Sequence, residues 1–233
     1  MQGSQKHLAE EFQKLGIVFA EVLTDPQAKA LADQVLELAK EQPPRIKHIT
    51  ENGQTREISD IVLTTEQLQP IEQIANLYEG LLIYAEHVAG REVVASLDGP
   101  SKINAKIHND AGHTHGWHKE GNSISAILYL TTYNGSGPLL YCHKGEEPQT
   151  GKVHRHYPAA GQMAWVEGRK VWHMVPPSKT ARQERIVLVF NYYYPGEQEL
   201  RSSNQDAALY GEDIETTLTD NKTAAADDEE KND

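Results

Sequence analysis

The sequence has a single cysteine, Cys142, among 233 residues. That excludes an intramolecular disulfide framework and fits a reducing compartment. A lone thiol in the apolar run Leu139-Leu140-Tyr141-Cys142 reads as a small core residue. Basic residues are also scarce: 22 Lys+Arg stand against 34 Asp+Glu, a formal net charge of −12. A surface of that sign repels phosphate backbones and anionic headgroups, so neither nucleic acid nor membrane is expected as a partner. No apolar run is long enough to cross a bilayer, and Met1 to Glu11 has no basic segment leading into an apolar one, so a cytoplasmic location is the expectation.

At 233 residues the chain is long enough to bury a core without staples, and one domain is expected. Gly16 to Leu23 reads as a short strand. Thr24-Asp25-Pro26 then starts a helix whose apolar positions Ala28, Leu31, Ala32, Val35, Leu36 and Leu38 recur at helical spacing until Pro43-Pro44 stops it. Residues 45–60 are polar and weakly patterned, a loop or hairpin near a site mouth. A second helix is predicted over 65–88, with a stripe at Leu68, Ile71, Ile74, Leu77, Leu81, Leu82 and Ala85.

From about Glu92 the period becomes strand-like, with candidates at 93–97, 102–108, 124–131, 138–142, 152–156, 162–166, 170–174 and 185–194. Eight short strands without intervening helices predict a mainly β fold, a double-stranded β-helix or cupin-like jelly roll supported by N-terminal helices. The expected organisation is a helical support region at 1–91, a jelly-roll core at 92–196 and a polar acidic tail at 197–233, partly disordered, with at most a short helix around 207–217.

Trp117-His118-Lys119-Glu120 carries the chemical signal, followed by His173 on a late strand and Arg185 at the head of the last apolar strand. Residues two apart on a strand project from the same face, so His118 and Glu120 can reach one metal, while Lys119 points away. Two imidazoles and one carboxylate occupy one face of an octahedral Fe(II) and leave the other positions open. The order of these residues marks His118, Glu120 and His173 as a metal triad. A guanidinium in a strand buried on both faces is costly without an anion, and Arg185 offers a fork matched to a carboxylate. Arg182 is the fallback for that role.

In this ordered set, residues 93–195 resemble the iron(II)- and 2-oxoglutarate-dependent oxygenases, and their prolyl-hydroxylase-like branch in particular. The similar features are His118-x-Glu120, the strand Ala126-Ile127-Leu128-Tyr129-Leu130-Thr131, the turn Gly135-Ser136-Gly137-Pro138-Leu139, His173, and Arg185-Ile186-Val187-Leu188-Val189. The resemblance implies iron on His118, Glu120 and His173, and the distal carboxylate of 2-oxoglutarate on Arg185 with Tyr129 beside it. It also implies a co-substrate contact at His108. O2 would be the oxidant, with succinate and CO2 released as an unactivated C–H bond is hydroxylated. Desaturation and ring closure are other outcomes of the same chemistry.

Two departures from the pattern stand out. Glu120 replaces the branch's usual Asp and leaves ligation intact, and Pro138 alters the glycine turn. Halogenating relatives carry a small residue in place of the carboxylate, so Glu120 argues against halogenation.

The expected partner is a small-molecule or peptidyl substrate, with the oligomeric state left open. Phe190, Tyr129, Leu140 and Trp172 read equally as core or as an apolar site wall. The loop from Asn109 to Gly116, with His113 and His115, would either line the substrate entrance or stay solvated, and His143, His154 and His156 are expected at the surface. The competing reading is a non-enzymatic metal-binding jelly-roll sensor. A structural zinc site would close its coordination with four protein ligands, and only three are convincing here. Zinc hydrolase chemistry is a third reading, but it leaves Arg185 without a role.

Overall fold

The computed structural model describes residues 2–51, 54–97, 102–108, 115–132, 138–176 and 185–198. The C-terminal tail beyond 198, the expected helix at 207–217, Arg182, His113 and the Gly135 to Gly137 turn lie outside the described residues, as does the side chain of His115. The chain begins α1 (Gln2–Leu15), β1 (Ile17–Glu21), α2 (Asp25–Ala39), β2 (Arg45–Glu51), β3 (Gln54–Leu63), α3 (Thr65–Leu68), α4 (Glu72–Ala89) and β4 (Val94–Ala95). It continues through β5 (Ile103–His108), β6 (His115–His118), β7 (Ile124–Tyr129), β8 (Leu139–Tyr141), β9 (His154–His156), β10 (Gln162–Glu167), β11 (His173–Val175) and β12 (Arg185–Tyr193).

Local signals set the helix ends. The Thr24 N–H donates to Gln27 Oε1 at 2.9 Å, half of a capping box at the start of α2. The helix predicted over 65–88 is two helices, because Pro70 has no N–H to continue the first one. A left-handed Gly90, with φ 67°, ends α4. The strands Arg45–Glu51 (β2) and Gln54–Leu63 (β3) pair antiparallel, and α1 was not foreseen.

All paired strands are antiparallel. The large sheet runs β1-β10-β7-β12-β5-β3-β2, with β4 on β12, and the small sheet runs β6-β11-β8-β9. Residues before 92 therefore give the large sheet three strands as well as the helices that cover it. This is the double-stranded β-helix expected from the strand pattern.

Two apolar layers follow from strand alternation. One face of the large sheet, with Ile103, Ala105, Ile107, Ala126, Leu128, Ile186, Leu188 and Phe190, packs under α1, α2 and α4 through Phe12, Leu31, Val35, Tyr78 and Leu81. The opposite face, with Ile127, Tyr129, Val187 and Val189, joins Leu139 and Val171 between the sheets. β12 is central and buried along its whole length, which explains its unbroken apolar run.

Candidate metal centre

The small sheet brings the two imidazoles together. β6 and β11 pair so that His118 and His173 are direct cross-strand partners, and their ring centroids stand 4.2 Å apart. Glu120 lies just past the end of β6. Its N–H donates to Gly168 O at 2.9 Å, and its Oε1 is 3.5 Å from His118 Nε2 and 3.3 Å from His173 Nε2. The side chains of His118 and Glu120 are 24% and 22% exposed and that of His173 3%, so His173 forms the floor of the site and the other two its mouth.

Each ring is oriented from behind. His118 Nδ1 is 2.7 Å from Gly116 O and His173 Nδ1 is 3.3 Å from Val171 O. A carbonyl only accepts, so each Nδ1 carries a hydrogen, which leaves each Nε2 facing Glu120 either with a lone pair for a metal or with a proton to donate to the carboxylate. In the first state three acceptor atoms face one another and repel unless a cation lies among them. Cis donors at ordinary metal–nitrogen lengths stand about 3 Å apart, close to the separations here. The donor set therefore fits a divalent metal.

Electrostatics agree with that fit. Burial alone would push the Glu120 carboxyl up, but the hydrogen-bond contacts of His118 and His173 and the charges of His118 and Lys106 hold it well below the usual carboxylate range. Burial pushes His173 down, with His118 adding to the effect, and this favours the neutral imidazole that a metal requires.

The loop carrying Glu120 is held by residues that the sequence did not single out. The Gly168 N–H donates to Ser123 O at 3.0 Å, and a Cβ on Gly168 would come within 2.3 Å of Asn122 O and 2.9 Å of Glu120 Cβ. Next to it, Arg169 donates to Gly121 O at 2.8 Å and pairs with Glu197 at 3.1 Å, while Ser123 Oγ donates to Glu197 at 2.8 Å. The glycine's neighbourhood is long-range, so only its place after a strand could have drawn attention.

Arg185, Tyr129 and His108 share the inner face of the large sheet. Arg185 pairs with His108 across β12 and β5, and Val187, two residues on, pairs with Tyr129 of β7. All three are buried, and Arg185 Nη1 lies 3.4 Å from Pro176 O. The same rung extends to Asp60 on β3, a buried acid partnered with His108 that the sequence pattern did not mark. Lys106 follows on that face, opposite Val187 and Val62.

Other expectations resolve individually. Phe190 belongs to the helix-side core and not to a site wall. Lys119 points away from the triad, with its Nζ 4.7 Å over the Trp172 ring and 3.9 Å from Glu147. Cys142 is a buried free thiol, as expected. His143, His154 and His156 are half-buried: His156 stacks on Phe19 at 3.7 Å, and His143 stacks on His154 at 3.9 Å. Among the described residues no helix is long and apolar enough to cross a membrane.

Solved structures share this architecture. The epimerase SnoN from nogalamycin biosynthesis aligns at TM-score 0.65 with 14% identity over 83% of this chain and 84% of its own. A Pseudomonas putida prolyl-4-hydroxylase aligns at 0.57 with 17% identity over 82% and 100%. A Trichoplax adhaerens prolyl hydroxylase, solved with a hypoxia inducible factor peptide fragment, aligns at 0.62 with 15% identity over 87% and 96%. At such identities the likeness speaks for the fold, which is that of the iron(II)/2-oxoglutarate oxygenases. Among curated proteins none matches the sequence. Residues 1–133, which include His118 and Glu120, match the family model described as Halogenase D (HalD), and the chain belongs to that family.

Proposed function

We propose that the protein is an Fe(II)- and 2-oxoglutarate-dependent dioxygenase that hydroxylates an unactivated C–H bond of an amino acid, a peptidyl residue or a small metabolite. The observation that carries this reading is the convergence of two carbonyl-anchored imidazoles and one carboxylate on a single point, with Arg185 on the inner face of the facing sheet. His118 and His173 offer Nε2 and Glu120 offers Oε1 to a ferrous ion. Arg185 takes the distal carboxylate of the co-substrate as a two-pronged donor, with Tyr129 and His108 beside it. Ferrous iron with 2-oxoglutarate supplies O2 activation coupled to formation of succinate and CO2. Ile127, Val187 and Val189 keep water from the inner face, and the half-exposed mouth at His118 and Glu120 is where substrate enters.

The HalD family description raises halogenation as an outcome. Glu120 fills the position that a metal-bound halide needs, which supports hydroxylation instead. The test begins with anaerobic addition of Fe(II) and 2-oxoglutarate, which should give the visible charge-transfer band of a chelate and lose it in His118→Ala and His173→Ala. Metal binding without that band would favour the non-enzymatic sensor. A panel of amino acids, peptides and metabolites, supplied with O2 and chloride, should then give succinate and a product that has gained oxygen. A chlorinated product from the wild-type chain would overturn the hydroxylase reading.

A further inference from the structure

The connection between β8 and β9 gathers a second set of metal-binding side chains. His143 follows β8, Glu146 lies in the turn and His154 opens β9, and their donor atoms lie within 4.8 Å of one another. The His143 and His154 rings stack at 3.9 Å with an interplanar angle of 27°, and the Tyr141 ring stands beside both, 5.4 Å from His154 and 5.9 Å from His143. Gly145, at φ 85°, permits the turn that brings Glu146 back, and Glu146 Oε2 accepts the His143 N–H at 3.0 Å. The second carboxylate oxygen stays available. Among the described residues no lysine or arginine forms an ion pair with Glu146, although neighbouring Glu147 and Glu167 both have lysine partners.

An independent observation points to a ligand at the same place. His154 Nε2 is shielded from solvent and has no hydrogen-bond partner among the described residues. A buried imidazole nitrogen without a partner costs free energy, and a cation bound there removes that cost. The cluster is not an extension of the first centre. Tyr141 pairs with His173 on one side and His154 on the other, so two strand spacings, roughly 10 Å, separate the two histidines.

We propose that His143, Glu146 and His154 form a second site for a divalent first-row transition ion of the zinc type, with water as the fourth ligand. The ion clamps the turn after β8 onto β9, the three-residue edge strand of the small sheet.

Cobalt(II) is the probe. The metal-free full-length chain is titrated anaerobically, with d–d absorption and equilibrium dialysis giving the ions bound per chain. Two ions are expected for the wild type and one for His143→Ala and for His154→Ala. The His118→Ala/His173→Ala double variant should keep the ion held by His143 and His154. His143 is half-buried in a turn, so His143→Ala decides the question should His154→Ala not fold. Loss of all metal binding in the His118→Ala/His173→Ala variant, or as many ions bound by His143→Ala as by the wild type, overturns the proposal. The 2-oxoglutarate-dependent band should be intact in His143→Ala, so failure here is distinguishable from failure of the dioxygenase reading.

Discussion

Replacing Gly168 with alanine tests how the carboxylate of the candidate centre is held. The added methyl would lie 2.3 Å from Asn122 O, 2.9 Å from Glu120 Cβ and 3.3 Å from the Asn122 carbonyl carbon. Two of these neighbours are backbone atoms and cannot rotate away, so the segment must retreat by about 1 Å to reach ordinary contact. That segment is stapled to Gly168 by the Glu120 N–H to Gly168 O bond at 2.9 Å and the Gly168 N–H to Ser123 O bond at 3.0 Å. Overpacking of this kind costs about 1–3 kcal/mol and each strained hydrogen bond about 1 kcal/mol, for a loss of about 2–5 kcal/mol. For a chain of this size the melting midpoint should fall by roughly 5–15 °C. Metal affinity should weaken by about 10- to 100-fold, because the group that orients a ligand has moved. Thermal unfolding of the metal-free chain and cobalt titration measure the two effects separately. A variant that melts with the wild type and binds metal as tightly would refute the claim that Gly168 positions Glu120.

Gly80 provides the opposite case: it lies inside α4 and a Cβ there meets nothing within 4 Å, so Gly80→Ala should stabilise by about 0.5–1 kcal/mol in urea unfolding. No gain would place a restraint on α4 that its packing does not reveal. Arg185→Ala should leave metal binding in place and weaken 2-oxoglutarate binding by about 2–5 kcal/mol, read as the concentration that half-develops the charge-transfer band. An unchanged half-saturation would move the assignment to Arg182. Burial raises both Tyr78 and Tyr192, whose rings stack at 4.8 Å and whose hydroxyls are tied into the backbone. The folded chain thus holds these protons more tightly than the unfolded one. Stability is intact below the ordinary tyrosine value of 10.0 and falls as pH rises above it. Urea midpoints between about pH 8 and 11 should show that fall, less steeply in Tyr192→Phe, and a flat profile would contradict it.

How much of this was legible depends on whether a feature is local or long-range. Alternation exposed most strands of the jelly roll, and β12 stood out because both of its faces are buried. His118, Glu120, His173 and Arg185 could be singled out as candidates because the proposed chemistry calls for those residue types in that order along strands. Asp60 and Lys106 could not, since they reach the inner face through the register of β3 with β5, which no window of sequence contains. Gly168 was missed for the same reason. The break at Pro70 was a local signal that the strong stripe of α4 outweighed. α1 is too polar to announce itself and is held by contacts such as buried Phe12. His143 and His154 lie in a polar stretch that reads as surface, and only the pairing of β8 with β9 stacks their rings.

The two imidazoles of the candidate centre are locked by a ladder, whereas the carboxylate sits outside it on a short loop held from the side. The donor set is thereby divisible. Exchanging the residue at 120 should leave the sheets and both imidazoles where they are, so the proposed site can lose or change its carboxylate by altering one replaceable part. A family described by halogenation can in this way include a chain with a carboxylate beside its two imidazoles.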